Sequence, residues 1–166
     1  MKNILKENLV YIIIIIVIIL VKCFVVTPVR VNGRSMLPTL KEKDIMILNK
    51  LAYRNKDIKR FDIVVVKDHG ELIIKRVIGL PGETITYKDN ILYVNGKKVD
   101  EKFTKVKDKN LEDYSSKKIP KGHYFVVGDN RPESADSRMI GFIKKKNIKG
   151  KSTYTIFPFS RTGKKK

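Results

Sequence analysis

Residues 9–26 read LVYIIIIIVIILVKCFVV, interrupted by a single charge, Lys22. As a helix this run spans ~27 Å, close to the ~30 Å hydrocarbon core of a bilayer. It has no polar face, which a helix buried on one side of a small domain needs. A cleaved secretory leader would also place Lys2 and Lys6 ahead of an apolar run. The exit, Val25-Val26-Thr27-Pro28-Val29, offers no small-x-small cleavage site. The run is therefore read as a retained transmembrane anchor over residues 9–26, preceded by a short N-terminus over residues 1–8. Lys22 lies near its far end and reaches the interface by snorkelling. The flanks leave orientation open. Lys2 and Lys6 against Glu7 precede the run, and Lys22, Arg30 and Arg34 follow or close it. A count of positive charges favours a cytoplasmic C-terminal side, but long domains translocate largely regardless of charge.

Residues 27–166 form one further domain. The chain of 166 residues has 36 Lys+Arg against 17 Asp+Glu, a formal net charge of +19. Cys23 is the lone cysteine, so no intrachain disulfide and no thiolate zinc site is expected. His69 and His123 are the only histidines, too few for a His-based metal cluster. Short β-rich apolar runs fall at residues 44–48, 61–66, 71–80, 84–87, 91–94, 123–127 and 152–157. Asn95-Gly96 supplies the two positive φ angles of a type I′ hairpin, and Leu80-Pro81-Gly82-Glu83 suits a type II turn. No helical periodicity is sustained outside the anchor, so the class is mainly β. Residues 101–118 (EKFTKVKDKNLEDYSSKK) read as a solvated, mobile excursion between strands. Residues 144–151 and 164–166 are basic runs.

Three segments carry chemistry. Gly33-Arg34-Ser35-Met36-Leu37-Pro38-Thr39-Leu40 sets a serine between a flexible glycine and a proline-fixed turn, close behind the anchor. On its own it is a loop serine. As a nucleophile it needs a base, and with histidine scarce that base is a lysine. A free lysine, pKa ~10.4, is charged at neutral pH; only desolvation in an apolar strand brings it near 7–8. Glu71-Leu72-Ile73-Ile74-Lys75-Arg76-Val77-Ile78-Gly79 offers such a strand. Lys75 shares a face with Ile73 and Val77, and Arg76 with Ile74 and Ile78. The alternation leaves open which face is buried, and a lysine snorkelling from a strand edge fits it equally. Arg76 itself stays protonated and cannot serve as a base. The third segment, Gly128-Asp129-Asn130-Arg131-Pro132-Glu133-Ser134-Ala135-Asp136-Ser137-Arg138, is dense in hydrogen-bonding groups; by composition it is a solvated turn.

Together, behind an anchor and in this order, these segments resemble type I signal peptidases. Those are membrane-bound Ser/Lys proteases that remove signal peptides from exported proteins, and the likeness is to their compact, single-anchor, Gram-positive-like form. The resemblance implies an antiparallel β-sheet catalytic domain behind one transmembrane helix. It implies that Ser35 is the nucleophile, that its N–H contributes to an oxyanion hole, and that neutral Lys75 is the general base. By the same match Ser134 orients the Lys75 amine, Asp136 and Arg138 pair to brace the site, and Met36 packs beside the nucleophile. Some members carry a hydroxyl two residues before the nucleophile; here that position is Gly33, so the second oxyanion donor is a water or another backbone group. No cofactor and no metal is implied. The implied partners are the signal peptides of exported preproteins, cut after small-x-small sites, and a bilayer with anionic headgroups. No nucleic-acid partner and a monomeric state are expected, with the N-terminus in the cytoplasm and the catalytic domain on the extracellular face of the cell membrane. An extended substrate would add as a strand to a sheet edge.

Two other readings compete. Self-cleaving Ser/Lys repressors have a similar catalytic core but carry a DNA-binding domain rather than an apolar anchor, and a plasmid-transfer maturation peptidase is closer. An anchored basic module binding anionic lipid or nucleic acid accounts for the charge. It gives no reason for Ser35, Lys75 and residues 128–138 to coexist.

Overall fold

The computed structural model describes residues 2–103 and 112–165. Helix α1 covers Lys2–Phe24. Its described side chains run over residues 8–20, with Phe24, and all are exposed. Among the described residues no helix is long and apolar enough to cross a membrane. The helix also stops earlier than the apolar run suggests. Val26 already belongs to strand β1, Val26–Arg30. The β-branched Val25, Val26 and Thr27 lead into Pro28, which disfavours helix in the residue before it and lacks a donor of its own. Pro28 is tolerated because β1 lies at a sheet edge.

Beyond α1 the chain is mainly β. Strands β2 (Ile45–Asn49), β3 (Ile63–Asp68), β4 (Glu71–Gly79), β9 (His123–Val127), β10 (Ile143–Lys144) and β11 (Ile148–Phe157) join β1 in one antiparallel sheet. The order is β1-β2-β11-β3-β4-β9-β10, and β12 (Gly163–Lys164) pairs with β11. A smaller antiparallel sheet, ordered β7-β6-β5-β8, is built from β5 (Ile85–Lys88), β6 (Ile91–Val94), β7 (Lys97–Val99) and β8 (Tyr114–Ser115). The β6–β7 hairpin turns on Asn95 and Gly96 at φ 51° and 76°, as the Asn-Gly signal requires. The turn before β5 has Gly82 at φ 87°, and the Glu83 amide donates to the Leu80 carbonyl at 3.2 Å.

Strand β4 holds the middle of the larger sheet, between β3 and β9. From Ile74 onward every residue of it is buried, so both faces of the alternation are covered. Met36 and Leu40, from the loop after β1, pack in a core cluster with Val31, Met46, Ile63, Val65 and Ile74. This packing holds the Ser35 segment against the sheet.

Residues 101–118, expected to be a solvated excursion, are tied down at both ends. Phe103 packs on Phe61, and Tyr114–Ser115 adds a strand to β5. Apolar and aromatic anchors at the ends outweigh the polar composition of the whole segment. Its middle, residues 104–111, lies outside the described residues.

Candidate active site

A groove of about 970 Å³ runs between β1 and the first half of β4. Its walls are Thr27 to Asn32 on one side and Glu71 to Lys75 on the other, with Leu48, Lys50 and Lys149 at its floor and rim. Ser35, Met36 and Lys75 line it together. Neither His69 nor His123 does.

Ser35 is half-buried and Lys75 is only 4% exposed. Burial holds the Lys75 ammonium below the usual lysine range. Asp136 and Asp129 pull the other way, while Arg138 adds to the lowering. Desolvation wins because a lone ammonium away from water is costly and, among the described residues, no carboxylate is paired directly with it. A buried amine and a hydroxyl that line one groove have the types of group needed for an attacking oxygen and its proton acceptor.

The loop over residues 128–138 closes on Ser35 from the other side. The Asn130 amide donates to the Ser35 carbonyl at 2.9 Å, and Asn130 Nδ2 donates to the Arg34 carbonyl at 3.2 Å. Gly128 allows the approach. A Cβ there would lie 2.2 Å from Ser134 Oγ and 2.4 Å from the Ser35 carbonyl oxygen. Ser134 is thus brought next to the Ser35 segment, and it is buried. Its Oγ has no hydrogen-bond partner among the described residues, so the bond to Lys75 implied by the family resemblance is not formed in this structure.

Asp136 is fully buried and accepts from Gly128 N at 3.1 Å and from Arg138 Nε and Nη2, both at 2.9 Å. It also caps the short helix α2, Ser137–Ile140, by accepting from the Arg138 amide. Met36 sits in the core beneath the Ser35 loop. Gly33 is exposed at φ 80°, a left-handed conformation that favours glycine.

Sequence reasoning passed over two buried ion pairs that frame this loop. Arg76, next to Lys75, is fully buried and grips Asp129 through Nε–Oδ1 at 2.8 Å and Nη2–Oδ2 at 2.7 Å. Its Nη1 donates to the Phe61 carbonyl at 2.9 Å, and the Phe103 ring lies 3.8 Å from its guanidinium carbon. Arg131 pairs with Glu101. The signal for the first was an arginine inside an apolar strand, which must find a carboxylate when buried; nothing local said which one.

A family model described as "Signal peptidase, peptidase S26" matches residues 3–157. The chain belongs to that family. It is a serine peptidase, a hydrolase of the signal-peptidase kind. It is 52% identical over 135 residues to signal peptidase I V of Bacillus subtilis (strain 168), covering 73% of this chain and 80% of that relative. It is 43% identical over 158 residues to signal peptidase I of Bacillus caldolyticus, covering 87% of each. A crystal structure of a signal peptidase I from Enterococcus faecalis V583 superposes with a TM-score of 0.54 at 39% identity, over 58% of this chain and 97% of that one. The mainly β architecture is thus that of a signal peptidase.

Proposed function

We propose that this peptidase cuts signal peptides from exported preproteins after small-x-small sites by a Ser35/Lys75 dyad. The observation that carries the reading is the shared groove: Ser35 and a desolvated Lys75 line it together. Neutral Lys75 takes the Ser35 hydroxyl proton as the Oγ attacks the scissile carbonyl. The Ser35 N–H stabilises the oxyanion, with the donor missing at Gly33 replaced by a water or another backbone group. Lys75 then passes its proton to the leaving amine. It activates a water in turn to release the acyl group and regenerate Ser35. Buried Ser134 supplies the hydroxyl that orients the Lys75 amine during turnover, and the Asp136–Arg138 pair braces the loop that carries it. The substrate lies extended between β1 and β4, where main-chain bonding needs no particular sequence. Shallow pockets admit small side chains and exclude larger ones.

The enzyme acts at a membrane, as a monomer, with residues 9–26 as the anchor, residues 1–8 in the cytoplasm and residues 27–166 outside the cell. The apolar run, broken only by Lys22 near its far end, supports this reading, as do Tyr154, Phe157 and Phe159 exposed on and beside β11, with Phe159 84% accessible. Exposed tyrosine favours the headgroup interface, and the exposed Phe rings beside it add apolar surface that marks an interaction site. The basic balance of the domain favours anionic headgroups rather than nucleic acid. The test is incubation of detergent-solubilised protein with a preprotein, locating the cut by mass. Wild type is expected to cut once after a small residue and Ser35→Ala not at all; full cleavage by Ser35→Ala overturns the dyad.

A further inference from the structure

One buried ion pair reaches from the smaller sheet to the loop that closes on Ser35. Glu101 follows β7, and Arg131 opens a short 3₁₀ turn, Arg131–Glu133, after β9. The pair is bidentate: Nη2–Oε1 at 2.6 Å and Nη1–Oε2 at 3.0 Å, with both side chains buried. Tyr87 on β5 completes it. Its hydroxyl donates to Glu101 Oε1 at 3.3 Å, and its ring lies 4.9 Å from the Arg131 guanidinium carbon. Glu101 uses both oxygens to set the plane of the guanidinium, as a planar fork allows.

The rest of Arg131 faces the catalytic loop. Its Nε donates to the Gly128 carbonyl at 2.9 Å, and its own carbonyl accepts Arg138 Nη2 at 2.6 Å. Arg138 in turn holds Asp136. Arg131 therefore ties the two ends of the loop to each other. Gly128 is the residue with no room to spare between Ser134 Oγ and the Ser35 carbonyl. The Gly128 backbone is thus in close contact with both, and its placement bears on both.

We propose that Glu101 is a positioning residue for the peptidase reaction, acting through Arg131 on Gly128 to set the placement of Ser35 and Ser134. The smaller sheet, none of whose described residues lines the groove, thereby acts on the reacting geometry. The proposal rests on the reading of Ser35 as the nucleophile. The expected signature is a loss in kcat rather than in substrate binding, because Glu101 lies away from the groove walls. Misplacement of reacting groups by a fraction of an ångström is costly in rate and cheap in affinity.

The test uses the full chain in detergent micelles with a preprotein substrate, comparing wild type, Glu101→Gln, Glu101→Asp and Ser35→Ala. Rates are expressed per folded molecule after a thermal melt at the assay temperature. Glu101→Gln, which loses the charge and one acceptor oxygen, is expected to lower kcat about tenfold with KM within about twofold. Glu101→Asp, which keeps the charge on a shorter stem, is expected to recover part of that loss. A Glu101→Gln enzyme with a lower melting temperature but wild-type kcat overturns the proposal and leaves the pair a purely stabilising role. So does a loss confined to KM, or a chain that no longer folds with Gln while Glu101→Asp keeps full kcat. The Ser35→Ala arm separates the two readings. If it cleaves fully, the nucleophile assignment fails; if it is inert, the Glu101 result is judged by itself.

Discussion

The carbonyl oxygen of Ser35 accepts the backbone amide of Asn130 at 2.9 Å, two residues beyond a glycine with no space for a side chain. The loop after β1 and the loop after β9 are thus joined by main chain, at a distance that only Gly128 permits. Main-chain joints of this kind place a nucleophile more firmly than a flexible side-chain contact, because the backbone has few soft torsions.

Gly128→Ala tests that joint. The added methyl overlaps Ser134 Oγ and the Ser35 carbonyl, and the carbonyl belongs to backbone that cannot rotate away. Overpacking of this kind costs about 1–3 kcal/mol of stability. The expected result is a loss of that size in denaturant melts and a fall in kcat of about 100-fold, from misplacement of Ser35. A variant with wild-type turnover would show that the approach of the two loops does not matter to the reaction.

Lys75→Met separates stability from activity. Burial lowers the folded-state pKa of Lys75 below its ordinary value of 10.5. Between the folded and unfolded pKa values the unfolded chain binds the extra proton, so stability rises with pH across that window. Below the folded pKa both states are protonated and the full cost of the buried charge is felt. Lys75→Met is expected to kill cleavage and to stabilise the fold, most at acid pH and progressively less as pH approaches 10.5. In the wild type, the acid limb of the rate profile should fall well below 10.5, because only the neutral amine accepts a proton. A rate that begins to rise only near pH 10.5 would contradict a desolvated base.

Arg76 and Asp129 make a prediction about folding. Removing one member of a buried pair leaves the other charge without compensation, at about 3–5 kcal/mol. Arg76→Met is expected to lose that much in urea melts. Arg76→Met combined with Asp129→Leu is expected to recover much of it, since no charge is then left buried. If the double variant is as unstable as the single one, the cost lies in lost packing against Phe103 and the Phe61 carbonyl instead.

How much of this was legible beforehand depends on whether a feature is local. Residues 91–94 and 123–127 were read as strands with their observed bounds. The Asn95-Gly96 turn follows from φ preferences that two adjacent residues settle between them. Strands β8, β10 and β12 have only two residues each and form because a neighbour offers an edge, which no local pattern records. The alternation of Lys75 and Arg76 left the buried face open for a different reason. It presumes one wet face, and β4 has none past Ile73, being flanked by two strands and covered on both sides. Glu101 stood in a segment whose composition reads as solvated, and its partner lies 30 residues away. Long-range charge pairing is invisible to periodicity, although the number of arginines in apolar or turn segments hinted that carboxylates would be drawn in.

Ser134 gives the sharpest division between structure and chemistry. A buried hydroxyl without a partner costs about 1–3 kcal/mol, and Ser134 Oγ is such a group among the described residues. A residue kept only for the fold would gain from losing it. Ser134→Ala is therefore expected to melt at the wild-type temperature or slightly above. If the hydroxyl engages the Lys75 amine when substrate is bound, the same variant should lose kcat by about tenfold or more while KM changes little. The clash that alanine at position 128 would make does not arise here, because Ser134→Ala only removes an atom from that contact. The decisive measurement is a melt and a steady-state assay on one preparation. Raised or equal stability with reduced kcat assigns Ser134 to the reaction, and equal kcat removes it from the site.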